Sequence, residues 1–168
     1  KRLAEEARIL LLWSLTTRKY DTLWLSIVEW ERDVPVEGGG VQSVTEWTVR
    51  TRVAFNEGDP VIQYSGRLVD RKVGNSNSNP YVFDFLDKRG RAVSIDAKPP
   101  NTQGDGRPGM FINHSCTNPN LIARRVYLDN DPRIFLFAKR DIGIDEDIRF
   151  DYGDRSQASL ERDKWLAE

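Results

Sequence analysis

At 168 residues the chain is long enough for one domain with a buried core. A formal net charge of −1, with 30% charged residues, excludes a chain-wide basic surface for nucleic acid. Only local clusters, Lys88, Arg89 and Arg91 or Arg124 and Arg125, could touch one. The single cysteine excludes an internal disulfide and a cysteine-built zinc site, which suits a reducing compartment.

The first residues predict a helix. Leu3, Ala7, Leu10, Leu11 and Leu15 recur at three- and four-residue spacing, opposite Arg2, Glu5, Glu6 and Arg8. Such a stripe packs on its own domain or, less commonly, on a partner. The longest apolar run, Ile9 to Trp13, is too short to span a membrane, so no membrane role is expected. The N-terminus lacks the pattern of a signal peptide, and a chain opening on Lys1 is expected to be cut from a longer one.

Leu23 to Glu31 shifts to period two and predicts a strand. Residues 33–43, with three consecutive glycines, predict a flexible connection; no Gly-Lys-Ser/Thr follows, so a phosphate loop is excluded. Trp47, Val49, Thr51, Val53 and Phe55 alternate with Thr48, Arg50, Arg52 and Ala54 in the clearest strand pattern. Asn56 to Asp59 is a turn, Val61 to Tyr64 a strand closed by Ser65-Gly66, and a polar loop runs on to Pro80. Tyr81, Phe83 and Phe85 alternate again, Asp87-Lys88-Arg89-Gly90 makes a hairpin turn, and Ala92 to Ile95 returns. Residues 98–109, with three prolines and three glycines, are expected to be irregular. Ile134 to Ala138 is a strand leading into the turn Asp141 to Asp147. Asp154-Arg155-Ser156-Gln157 has the form of a helix N-cap, with a short helix through Leu160 and Trp165 after it. Many short strands, long loops and a helix at each end make the fold class mainly β or α+β.

Two stretches concentrate the chemistry. Phe111-Ile112-Asn113-His114-Ser115-Cys116-Thr117-Asn118-Pro119-Asn120 holds the only histidine and the only cysteine of the chain. Phe150-Asp151-Tyr152-Gly153-Asp154 follows the acidic turn Ile144-Asp145-Glu146-Asp147. In this order and spacing the pair resembles the two C-terminal motifs of SET-domain protein lysine methyltransferases, with one extra residue between Cys116 and Pro119. Val61 to Gly66 is similar to the family's strand ending in Tyr-x-Gly. Tyr81 to Leu86 resembles its Tyr-x-Phe-Asp strand, and Ser94-Ile95-Asp96-Ala97 its Ile-Asp-Ala. The tail from Asp151 to Leu160, ending in Trp165-Leu166, resembles the histone H4 lysine-20 enzymes. It lacks the three cysteines with which many H3 lysine-9 enzymes bind zinc, so no zinc is expected and Cys116 should be a packed free thiol.

The resemblance implies a SET fold of small curved sheets, with the segment around Asn113 threaded beside that around Tyr152. The expected layout is a flanking helix, strand and glycine-rich loop over residues 1–46, a core over 47–153 and a C-terminal helix over 154–168. It also implies methyl transfer from S-adenosylmethionine, leaving S-adenosylhomocysteine, to a lysine of a histone tail or nucleosome in the nucleus. The target lysine would be H4 lysine 20 or H3 lysine 9. Contact with nucleosomal DNA is possible through the basic clusters, and the oligomeric state stays open.

By the same resemblance Tyr152, Tyr64 and Phe150 are the catalytic residues, walling a channel with Tyr81. As strand aromatics, Tyr64 and Tyr81 could equally be core. Trp47, Tyr81, Asn113, His114 and Trp165 would bind the cofactor, although Trp165 could instead only cap its helix. Phe83, Asp84, Ile95, Asp96 and Ala97 would bind the substrate, and the loops at 67–80 and 98–109 would read the target lysine. No metal ligand is assigned: His114 has no partner at ligand spacing. Phe150, where the H4 lysine-20 enzymes typically carry tyrosine, implies di- and trimethylation. Two positions depart from the family pattern. Glu46-Trp47-Thr48 has no glycine where the family has Gly-x-Gly, and Met110 stands where a basic residue is usual. A SET-shaped module without turnover, binding or scaffolding histones, is the alternative these departures keep open.

Overall fold

The computed structural model describes residues 24–36, 38–71, 81–98, 108–128 and 130–153. Both expected terminal helices, Trp165 and most of the loops at 67–80 and 98–109 lie outside them. The described chain forms three antiparallel or mixed sheets of two, five and three strands.

Strands β1 (Leu25–Pro35) and β2 (Val41–Thr51) form a long antiparallel hairpin, with Leu25 opposite Thr51 and Pro35 opposite Val41. The glycine-rich stretch is therefore a tight turn and not the connection expected over 33–43. Gly38, Gly39 and Gly40 all have positive φ, a conformation side chains resist, so consecutive glycines allow the strands to close in register. The expected domain line at residue 46 falls inside β2. The strand pattern expected to reach Phe55 stops at Thr51. There the backbone leaves its partner for the acidic turn: Thr51 N–H donates to Glu146 O, and Thr51 Oγ1 donates to Gly143 O at 2.6 Å.

The five-stranded sheet has the order β3-β9-β8-β10-β7. It comprises β3 (Pro60–Tyr64), β7 (Asn113–His114), β8 (Leu121–Leu128), β9 (Asp131–Ala138) and β10 (Arg149–Phe150). Residues 134–138 of β9 are all buried, because one face meets the main core and the other a small cluster of Leu128, Phe135 and Phe137. Sequence patterning missed β8, since Arg124 and Arg125 sit at its middle. Arg124 lies on the Phe137 ring, 4.9 Å from its centroid, so the side chain covers apolar surface while its charge stays at the rim.

The three-stranded sheet sets β6 (Ala92–Asp96) between β4 (Arg67–Asp70) and β5 (Val82–Leu86). The β5–β6 hairpin turns at Asp87 to Gly90 as expected. Asp87 Oδ1 accepts from the Arg89 and Arg91 N–H groups, and Gly90 takes a φ of 75°. β4 lies within the stretch expected as polar loop. It is an edge strand with a charge at each end, and its partner β6, not its own pattern, defines it. One glycine in this region is fixed by proximity: a Cβ on Gly66 would collide with the backbone of Asp96 and the side chain of Ile95.

The main core joins the sheets through Leu25, Val49, Val61, Ile62, Tyr64, Ile95, Ile112, Leu121, Ile134, Leu136, Ile148 and Phe150. Small sheets packed round one core are the architecture the sequence implied.

Candidate active site

The site is made where the two motifs meet. Pro108–Phe111 forms a 3₁₀ turn, and the chain then extends into β7. β10 runs parallel to β7, with Arg149 opposite Asn113 and Phe150 opposite His114, and lies between β7 and β8. Thus the chain leaves β7, crosses β8 and β9, and returns to place the second motif against the first.

Asn120 holds this return in place. Its Nδ2 donates to Asp147 O at 2.9 Å and to Glu146 Oε1 at 3.0 Å, and its Oδ1 accepts from Arg149 N–H at 2.8 Å. Asn120 is 2% exposed, so these bonds satisfy an amide that would otherwise be costly to bury. Ser115 makes the intervening turn, its hydroxyl accepting from Asn118 N–H. The carboxylate of Glu146 is pulled down to about 2, first by its hydrogen bond with Arg140, then by Asn120 and the Gly143 N–H. Neither Asn120 nor Glu146 was singled out from the sequence; the asparagine closing the first motif was the available signal.

The same pairing sets Tyr152. Its N–H donates to His114 Nδ1 at 3.1 Å, which places a neutral imidazole's hydrogen on Nε2. Its hydroxyl donates to Ile112 O at 2.6 Å. Rings gather around it: Phe150 at 4.7 Å and His114 at 5.0 Å between centroids. Phe150 in turn lies 6.4 Å from Tyr64 and stacks on Phe83 at 6.0 Å. Tyr64 and Phe150 are buried, at 6% and 2% exposure. Burial pushes the phenols of Tyr64 and Tyr152 well above the ordinary tyrosine value. At Tyr64 the charges of Tyr152, Asp96 and Tyr81 add to this, and at Tyr152 that of Tyr81. Both are therefore neutral hydroxyls across the working pH range. Of the four expected wall residues, Tyr64, Phe150 and Tyr152 lie ring against ring, and Tyr81 packs against the same core.

Of the expected substrate residues, Phe83 and Ile95 are cross-strand partners on the face toward Tyr64. Ala97 is buried beside them, its N–H donating to Tyr81 O. Asp84 points to the other face, where Ser94 donates to it and Arg71 pairs with it at 3.0 Å. Asp96 accepts from Lys98 N–H at the end of β6.

On the cofactor side, Asn113 Nδ2 donates to Trp47 O at 3.0 Å. Trp47 is 42% exposed, and its ring lies 5.8 Å from Phe111. A partly open aromatic residue bonded to Asn113 through its carbonyl, with His114 next along β7, suits a flat, hydrogen-bonding base, so the residues present fit an adenosyl group. Glu46 and Thr48 flank Trp47 in the segment that lacks the family's glycines, and Met110 packs against the core. Cys116 is a half-buried free thiol. Among the described residues no three His, Cys, Asp or Glu side chains gather as metal ligands.

The sequence profile of the SET domain matches residues 46–153. The chain belongs to the SET-domain family. It is 30% identical over 126 residues to the histone-lysine N-methyltransferase set-1 of Caenorhabditis elegans, covering 70% of this chain and 50% of that protein. It is 33% identical over 123 residues to the N-lysine methyltransferase KMT5A of Xenopus tropicalis, covering 67% and 34%. A crystal structure of CpSET8 from Cryptosporidium superposes with a TM-score of 0.54 at 28% identity, covering 76% of this chain and 58% of that one. The chain thus spans half the length of the first relative and about a third of the second.

Proposed function

We propose that this SET domain is an S-adenosylmethionine-dependent protein lysine N-methyltransferase acting on a histone tail. The observation that carries the reading is the β7–β10 pairing, which sets Tyr152 against Ile112 and His114 and beside Phe150. Bound S-adenosylmethionine supplies an electrophilic methyl group. Trp47, Tyr81, Asn113 and His114 would hold it, together with Trp165 of the tail.

The chain's own part is placement and desolvation. Tyr64, Phe83 and Phe150 form an apolar wall for the aliphatic stem of a lysine. Exclusion of water there favours the neutral amine over the ammonium. The neutral phenols of Tyr64 and Tyr152 offer oxygens without adding a negative charge that would hold the proton on the amine. The end of β6 at Asp96 and Ala97, with Asp84 on the neighbouring strand, would lie beside the peptide. The tail's resemblance supports H4 lysine 20 as the first target to test, with H3 lysine 9 second. Phe150 leaves the wall without a hydroxyl and supports di- and trimethylation. A nucleosomal substrate in the nucleus, touching DNA through a basic cluster, completes the reading.

Calorimetry with S-adenosylmethionine, followed by mass spectrometry of H4 and H3 peptides incubated with the enzyme, tests it. Cofactor binding and methyl transfer to one peptide are expected. Glu46 and Thr48 in place of the family's glycines, with Met110 in place of a basic residue, motivate the second reading, a histone-binding module without turnover. Peptide binding with no cofactor binding would replace the first reading by that one.

A further inference from the structure

Two basic clusters far apart in sequence are partly joined in space. A cavity of about 460 Å³ opens between the β5–β6 turn and the β8–β9 turn, with Lys88, Arg89 and Arg91 on one side and Tyr127 and Asn130 on the other. Lys88 Nζ donates to Asn130 Oδ1 at 2.9 Å and lies 5.6 Å from the centroid of the Tyr127 ring. The Arg125 guanidinium lies 5.7 Å from the same ring. Arg124 points to the opposite face, over Phe137, and is not part of the cleft.

The acids at the cleft are already engaged. Asp87 is buried, ion-paired with Arg91 at 2.7 Å and bonded to two backbone N–H groups of its turn. Asp131 pairs with Arg133 at 3.6 Å. Lys88, Arg89 and Arg125 make no ion pair among the described residues. The Tyr127 hydroxyl is buried, with no hydrogen-bond partner among the described residues.

We infer that this cleft binds the phosphodiester backbone of double-stranded DNA. Lys88 on the β5–β6 turn and Arg125 on β8 both lie against the Tyr127 ring, with Arg89 beside them, and such spaced cations can meet successive phosphates. An acidic peptide would draw on apolar contacts as well, and the rim offers few, Leu68 being the most exposed at 45%. The inference deepens the nucleosomal reading above and rests on it for its setting. Binding to free DNA is measured without methyl transfer, so failure here leaves the transfer reading standing.

The test is fluorescence anisotropy of a labelled random-sequence duplex against salt, with wild type, the double variant Lys88→Glu/Arg89→Glu, and Lys139→Glu as a control. Lys139 is exposed and does not line the cleft. Wild type is expected to bind at low salt and weaken as salt rises. The double variant should lose about tenfold or more in affinity, and its log–log salt slope should fall by about two. The control should stay within about twofold of wild type, with the thermal melts of all three alike, since both cleft side chains are exposed. No binding at low salt, or equal binding by the double variant, overturns the inference. So does displacement of the duplex by polyglutamate at equal charge concentration, which would make the cleft a site for acidic polypeptide.

Discussion

The Tyr152 hydroxyl donates to the carbonyl oxygen of Ile112 at 2.6 Å, across the join between the two motifs. One bond thus fixes both the phenol and the strand that presents Asn113 and His114. Tyr152→Phe should lower methyl transfer by about 10²-fold or more, the loss typical of a positioned polar group in the reacting centre. Stability should fall by only about 1 kcal/mol, the net value of one hydrogen bond. Single-turnover transfer and a denaturant melt on the same preparation check both. Activity within about twofold of wild type would remove Tyr152 from the chemistry.

Phe150 is 2% exposed and packed among Tyr64, Phe83 and Tyr152, so an added hydroxyl would face this cluster rather than bulk solvent. There it can hydrogen-bond an amine or a trapped water and restrict a methylated amine. Wild type is expected to reach di- and trimethyl-lysine, and Phe150→Tyr to stop largely at one methyl. A barrier change of about 1.4 kcal/mol is enough for a tenfold rate difference. Mass spectra of a histone peptide after long incubation give the answer. Identical product ladders would move the control of product to another residue.

Much of this was legible in the sequence, and what was not has physical causes. The β5–β6 hairpin shows itself because Phe83 and Phe85 alternate and a turn with glycine follows. The resemblance of the two motifs implied that they meet, and β7 and β10 do pair. β8 stayed hidden because pattern reading takes arginine as exposed, whereas Arg124 covers a phenylalanine. β4 is too short and too charged to declare itself without β6. Asn120 was visible as a motif residue, but its work depends on Arg149, 29 residues on, whose N–H it accepts. The aromatic wall was legible by residue type, while its close packing depends on how three sheets meet.

Gly66 offers a test of packing at the junction between the site and the three-stranded sheet. Its φ is ordinary, so the constraint is space: a Cβ would meet backbone at Asp96, which cannot rotate away as a side chain can. Gly66→Ala should cost about 1–3 kcal/mol, as overpacking does. The displaced β6 carries Ile95 and Asp96, so peptide binding should weaken as well. A chemical melt combined with peptide titration reads both. An unchanged melt would show that β6 yields without strain.

The acid sensitivity of the fold should trace to Glu146. Its carboxyl falls from an ordinary 4.5 to about 2 in the folded chain, chiefly through Arg140, with Asn120 and the Gly143 N–H adding. A group with a depressed folded pKa favours the native state where it is ionised. The contribution is complete above about 4.5 and disappears as pH falls through about 2. The carboxylate is partly open to solvent, with 30% of its side-chain surface exposed, so screening by water and salt reduces the effect. Glu146→Gln removes the titration but keeps a side chain able to accept from Asn120. The variant should be less stable than wild type at pH 6, and the gap should close as pH drops from about 4.5 toward 2. Urea melts at fixed ionic strength over that range measure it. Arg140→Ala should raise the pKa and shrink the same pH-dependent contribution. A gap that stays constant with pH would mean that the Glu146 charge does not stabilise this turn.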